Sequence, residues 1–141
     1  VHAHRGGAAL APENTMEAFR NAATLGAHYV ELDVRRCGTG ELVVVHDETL
    51  ERVAGRPEKV ADLSLADLQS VDVGSHFHER CAGATIPTLQ QVVEELDSAL
   101  RFNLEIKEEA LRGDGTALAL GQMITAMGIS GRCLVSSFNP A

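Results

Sequence analysis

The sequence predicts an α/β domain of parallel strands joined by crossover helices. Three observations predict it. Short apolar segments of strand character alternate with segments of helical period. Capping residues and glycines bound the helical segments. Acids, histidines and basic residues recur near the strand C-termini, where parallel α/β folds bind their ligands.

The elements follow in order. "VHAH" is a short strand that runs into the glycine turn "RGGAALAPENT". "NTMEAFRNAATLG" is a helix: Asn14 or Thr15 can cap it, Glu17 lies in its first turn, and Gly26 ends it. "YVELDVR" is the second strand, "CGTGE" a tight turn, and "LVVVHD" the third strand. Residues 52–85 are polar, with one short helix, "SLADLQSV", capped by Ser64, and read as an excursion outside the main layer. "PTLQQVVEELDSAL" is a helix with Thr88 and Gln91 in capping-box spacing. "RFNLEIK" is the fourth strand, "GTALALGQMITAMG" a helix ending at Gly128, and "CLVSSF" the fifth strand. Alternation of this kind implies parallel strands throughout.

The 141 residues form one domain and suffice for a real core. The net charge of −8 argues against a nucleic-acid partner, because phosphate backbones demand basic patches. No segment reaches the roughly 20 apolar residues of a membrane span. Cys37, Cys81 and Cys133 are odd in number and form no CxxC pair, which reads as three reduced thiols. No signal peptide is visible, which favours the cytoplasm, although the chain begins at Val1 without a Met, as a trimmed N-terminus would.

The chemistry concentrates at one rim. His4 and Arg5 end the first strand, His46 and Asp47 end the third, and Glu31, Asp33 and Arg35 share one face of the second. On the fourth strand Asn103, Glu105 and Lys107 face away from Leu104 and Ile106. An acid on a strand is ordinarily solvent-facing, and a histidine at a strand end is ordinarily structural. Two strands with the same inward acidic pattern weaken that explanation. Burying several carboxylates together requires a positive charge between them. Oxygen-only ligands suit one hard divalent cation, Mg²⁺ or Ca²⁺.

Five motifs, "HRGGAALAPENTMEAF", "ELDVRRCGTGELVVVHDETLERVAG", "IPTLQQVVEEL", "NLEIK" and "LVSSFNP", together resemble the glycerophosphodiester phosphodiesterase family across essentially the whole chain. The resemblance implies a TIM-type (β/α)₈ barrel hydrolase of glycerol and lipid metabolism. Its small-molecule glycerophosphodiester substrate would be cleaved to glycerol 3-phosphate and an alcohol. By motif position, His4 and His46 match the family's acid–base pair. Glu31, Asp33 and Glu105 match its metal ligands, and Arg5 and Lys107 its phosphate contacts. Residues 52–85 match its inserted subdomain after strand three.

A full barrel of this type takes roughly 200 residues or more. Five strands therefore imply a C-terminally incomplete, partial barrel that could self-associate through its open edges. Two other readings exist. "HAH" suggests a zinc-dependent amidohydrolase-type barrel, but the fifth strand, "CLVSSF", carries no histidine. A catalytically silent fragment serving as a binding module is the other.

Overall fold

The computed structural model describes residues 1–96, 100–108 and 113–138. Strands β1 (His2–Ala3), β2 (Tyr29–Arg36), β4 (Arg101–Ile106) and β5 (Cys133–Ser137) form a parallel sheet in the order β1-β2-β4-β5. Helix α1 (Met16–Thr24) connects β1 to β2, α4 (Leu89–Glu95) precedes β4, and α5 (Thr116–Ala126) connects β4 to β5. This is a partial (β/α) barrel. Residues 97–99, within the segment read as the fourth-strand's preceding helix, and 139–141, the end of "LVSSFNP", lie outside the described residues.

β3 (Leu42–Val44) corrects the expectation of parallel strands throughout. It pairs antiparallel with β2, with Val34 opposite Val44 and Arg36 opposite Leu42. The reason is chain length: five residues, 37–41, separate the two strands, whereas a parallel return needs a dozen or more. The turn closes through the Cys37 amide on Glu41 O (3.0 Å) and the Gly40 amide on Cys37 O (2.9 Å). β3 ends at Val44, earlier than expected, and the Val45 amide donates to Asp33 O at 3.0 Å. The hairpin therefore carries His46 back down to the level of Asp33.

Side-chain alternation on β2 and β4 builds the two faces. Val30, Leu32, Val34, Phe102, Leu104 and Ile106 turn outward and are buried against Phe19 and Ala22 of α1, Leu89, Val92 and Val93 of α4, and Leu120 of α5. Each such aliphatic or aromatic side chain contributes about 1.5–3 kcal/mol when fully buried. Thr15 caps α1 by accepting from the Ala18 amide (3.3 Å). Thr88 and Gln91 form the expected capping box, at 3.1 and 2.9 Å.

The opposite face carries polar layers. At its base His2 stacks on Tyr29, with ring centroids 4.5 Å apart, and Arg101 donates to the Tyr29 hydroxyl at 3.1 Å. Next come Glu31 and Asn103, in register, then Asp33 and Glu105.

Residues 52–85 are not simply a polar excursion. With α2 (Glu51–Ala54) and α3 (Leu65–Gln69, capped by Ser64), this stretch builds a second apolar core. Val53, Val60, Leu68, Val71 and Val73 pack on Val43, Val45, Leu50 and Ile86. The insertion is thereby fastened to the far side of the hairpin.

Candidate active site

The turn after β1 is set by backbone conformation. Arg5 (φ 49°), Gly6 (φ 76°) and Asn14 (φ 56°) all occupy the left-handed region. A Cβ on Gly6 would stand 2.9 Å from Ala18 Cβ, so glycine lets this turn lie directly on α1. Non-glycine residues in this region carry strain and persist where surroundings hold them. Here the Arg5 amide donates to Glu31 Oε2 at 2.8 Å, and the Asn14 amide to Arg5 O at 2.9 Å.

Glu31, Asp33 and Glu105 converge as expected. One carboxylate oxygen from each lies within 4.8 Å of the others, and among the described residues this potential metal-ligand group contains no histidine. His2, stacked at the base, is not part of it. Lys107 Nζ pairs with Glu105 Oε1 and lies 3.3 Å from Asp33 Oδ1. Arg5 Nε lies 3.4 Å from Asp33 Oδ2, which also accepts from Asn14 Nδ2 at 2.8 Å. Three carboxylates thus face two cations. Burial pushes the Glu31 carboxyl above its ordinary value; the Arg5 amide opposes this, and the charges of Asp33 and Glu105 add to it.

Glu31 Oε1 is buried and accepts no hydrogen bond, and Asp33 Oδ1, also buried without one, has only the Lys107 ammonium at 3.3 Å. Buried carboxylate oxygens without donors are costly. An acidic cluster with one such oxygen, and a second answered only by an ammonium, fits a hard divalent cation, whose ligands are oxygens of this kind.

One histidine, His4, stands beside the cluster, and the other, His46, is held on the hairpin next to Asp47. His4 Nε2 lies 3.8 Å from Glu31 Oε2, and its side chain is 70% exposed. His46 is anchored by its backbone: Arg35 Nε donates to His46 O (2.9 Å), while Arg35 Nη1 donates to Lys107 O (3.2 Å). The His46 ring meets Asp47, with Nδ1 2.6 Å from Oδ1.

Sequence reasoning missed four residues here. Asn14, read only as a possible helix cap, holds Asp33 and Arg5. Asp47, given no role, holds His46. Arg52 of α2 donates to Asp47 Oδ2 and Oδ1 at 2.7 and 3.0 Å, and to Glu13 Oε1 and Oε2 at 2.7 and 3.0 Å. Glu13 accepts in turn from Arg5 Nη1 at 3.2 Å. Arg52 brings the Asp47 carboxyl down to about 2, against the opposing effect of burial and with help from His46. Burial pushes Glu13 up, but Arg52 and Arg5 outweigh it and hold it below its ordinary value. The adjacency of Asp47 to His46 was a usable signal. Nothing in the sequence linked Arg52 to Glu13, 39 positions away.

A partial (β/α) barrel with a three-carboxylate cluster on its inner face defines a class of (β/α) barrels with a potential metal centre. Comparison narrows it. The family model for the glycerophosphoryl diester phosphodiesterase family matches residues 4–127, and the chain belongs to that family. It is 40% identical over 140 residues to a glycerophosphodiester phosphodiesterase of Caldanaerobacter subterraneus, covering 99% of this chain and 58% of that protein. An Oleispira antarctica phosphodiesterase, solved with the product sn-glycerol-3-phosphate, superposes with a TM-score of 0.90 at 33% identity, over 99% of this chain and 57% of that one. An Agrobacterium tumefaciens glycerophosphodiester phosphodiesterase gives 0.85 at 32% identity, over 96% and 56%. The chain spans little more than half the length of these relatives.

Proposed function

We propose that the chain carries the acid–base and metal-binding part of a metal-dependent phosphodiesterase that hydrolyses glycerophosphodiesters to glycerol 3-phosphate and an alcohol. The observation that carries this reading is a buried three-carboxylate cluster in which Glu31 Oε1 accepts no hydrogen bond and Asp33 Oδ1 meets only the Lys107 ammonium, with His4 and the cations Arg5 and Lys107 beside it. Family membership and the product held by the Oleispira antarctica relative support the substrate class.

Glu31, Asp33 and Glu105 would hold the cation, Mg²⁺ or Ca²⁺. When bound, it supplies Lewis-acid neutralisation of the charge on the phosphoryl group. Arg5 and Lys107, already drawn to these carboxylates, offer the substrate phosphate two further positive charges. His46 presents Nε2 outward because its Nδ1 is engaged by Asp47. His4 stands exposed beside Glu31, free to reach a ligand from the β1 side. One histidine takes the proton of the nucleophile and the other gives a proton to the leaving alcohol; the nucleophile is water, or the glycerol 2-hydroxyl, whose cyclic phosphate water then opens to glycerol 3-phosphate.

The test is glycerol 3-phosphate release by the full-length protein from a panel of glycerophosphodiesters, with and without chelator. His4→Ala and His46→Ala should each lower turnover about 10²–10⁴-fold, with divalent-ion affinity nearly intact. Wild-type turnover in either variant would remove that histidine from the pair.

A further inference from the structure

We propose that Arg52, on the inserted segment, is a positioning residue that sets His46 through Asp47 and Arg5 through Glu13, so that seating of the insertion fixes both sides of the site. The inference rests on the phosphodiesterase reading above and adds residues to it.

The geometry is specific to arginine. Nε and Nη2 engage the two oxygens of Asp47, and Nη1 and Nη2 the two oxygens of Glu13, all between 2.7 and 3.0 Å. A planar fork can grip two carboxylates at once; an ammonium cannot. Each carboxylate then has one remaining task. Asp47 Oδ1 faces His46 Nδ1 at 2.6 Å, and Glu13 faces Arg5 Nη1 at 3.2 and 3.3 Å.

Asp47 as a carboxylate can only accept, so His46 Nδ1 must donate. Neutral His46 is thereby held with its lone pair on Nε2, the nitrogen turned away from Asp47. On the other branch, Glu13 draws the guanidinium end of Arg5 away from Asp33, whose nearest contact with Arg5 is the longer one to Nε, at 3.4 Å. The insertion bears on both through one side chain, and its second core, with Val53 on the same helix as Arg52, fixes where that side chain starts.

The two branches predict different kinetic signatures in the full-length, metal-loaded protein. Asp47→Asn should lower kcat about 10–100-fold, as loss of a partner behind a functional side chain typically does, with KM little changed. Glu13→Gln should raise KM and leave kcat nearer wild type. Arg52→Lys, which keeps the charge, should do both, and long-range ¹⁵N NMR should show His46 losing its single Nδ1-protonated tautomer.

A purely structural Arg52 would lower the melting temperature but leave kcat per folded molecule and the His46 tautomer unchanged; that result overturns the proposal. So does wild-type kinetics in Arg52→Lys. His46→Ala, run alongside, separates the two levels. If it retains turnover, the functional reading fails. If it is inactive while Arg52→Lys is not impaired, only the positioning role fails.

Discussion

Replacing Glu31 by Gln removes one charge from the acidic cluster and keeps its shape. The oxygens of the cluster lie within 4.8 Å of one another. At that separation two like charges repel by about 3.5 kcal/mol in a medium of effective dielectric about 20. Glu31 feels two such neighbours, Asp33 and Glu105, and burial adds to the cost. Arg5 and Lys107 already answer most of the neighbours' charge, and Gln can still accept from the Arg5 amide. A net gain of about 1–2 kcal/mol in the metal-free protein is therefore expected, a rise of roughly 3–8 °C in Tm for a chain of this size. The pH dependence has a definite sign. A carboxyl with a raised folded pKa is least costly when protonated, so wild type gains on the variant as pH falls through the Glu31 pKa, and the difference closes below about 4.5. With cation present the ranking inverts, because the variant has lost a ligand. Affinity should fall by more than the roughly 10–100-fold typical of losing an outer partner. Calorimetry with Mg²⁺ and Ca²⁺, and melting with and without EDTA, measure both halves. Unchanged affinity in both Glu31→Gln and Glu105→Gln, or a lower metal-free Tm in Glu31→Gln, would refute the reasoning.

A Cβ on Gly74 would stand 1.8 Å from Cys81 O, so Gly74→Ala should loosen the insertion, costing about 1–3 kcal/mol or more; unchanged amide exchange across residues 71–86 would count against it. Arg52 holds Asp47 at about 2, below its ordinary 3.8, so this contact stabilises the protein above pH 4 and is lost as pH falls from 4 towards 2. Asp47→Asn should flatten that part of the acid-unfolding curve, and an unaltered curve would contradict the linkage. Leu134 and Val135 of β5 are 56% and 45% exposed at a sheet edge, so residues 1–141 alone should self-associate, and Val135→Lys should disperse them. Light scattering that finds a monodisperse wild-type monomer would dismiss this.

The legible part of the fold was what local pattern determines. Alternation in "YVELDVR" and "NLEIK" placed Glu31, Asp33 and Glu105 on one face because a strand's period is two, whatever its partners. Thr88 and Gln91 announced a helix start because a capping box is a contact within one turn. The hairpin was misread although its signal was present: a five-residue turn cannot cross over, and apolar character in "LVVV" is blind to strand direction. The second core was hidden by composition. Its residues, Val53, Val60, Leu68, Val71 and Val73, come from a short helix, turns and a second short helix, so no single period runs through them. Arg52 was out of reach because its partners, Glu13 and Asp47, meet only once the hairpin has folded back.

That last point gives the antiparallel strand a physical purpose. Parallel strands of a barrel present side chains upward from the rim, as β1 does with His4 and β4 with Lys107. The hairpin climbs past the rim along Arg35 and Arg36 and returns at Val44, so His46 arrives from the opposite direction to His4. A strand that leaves the sheet this way has one side unsupported. The insertion supplies that support, with Val53, Val60 and Leu68 packed against Val43 and Val45, and Arg52 tied to Asp47. The inserted segment therefore holds the element that carries His46. Substitutions that loosen the second core should be felt at His46 before they are felt in the main core, where Leu32, Phe102 and Leu104 remain fully buried.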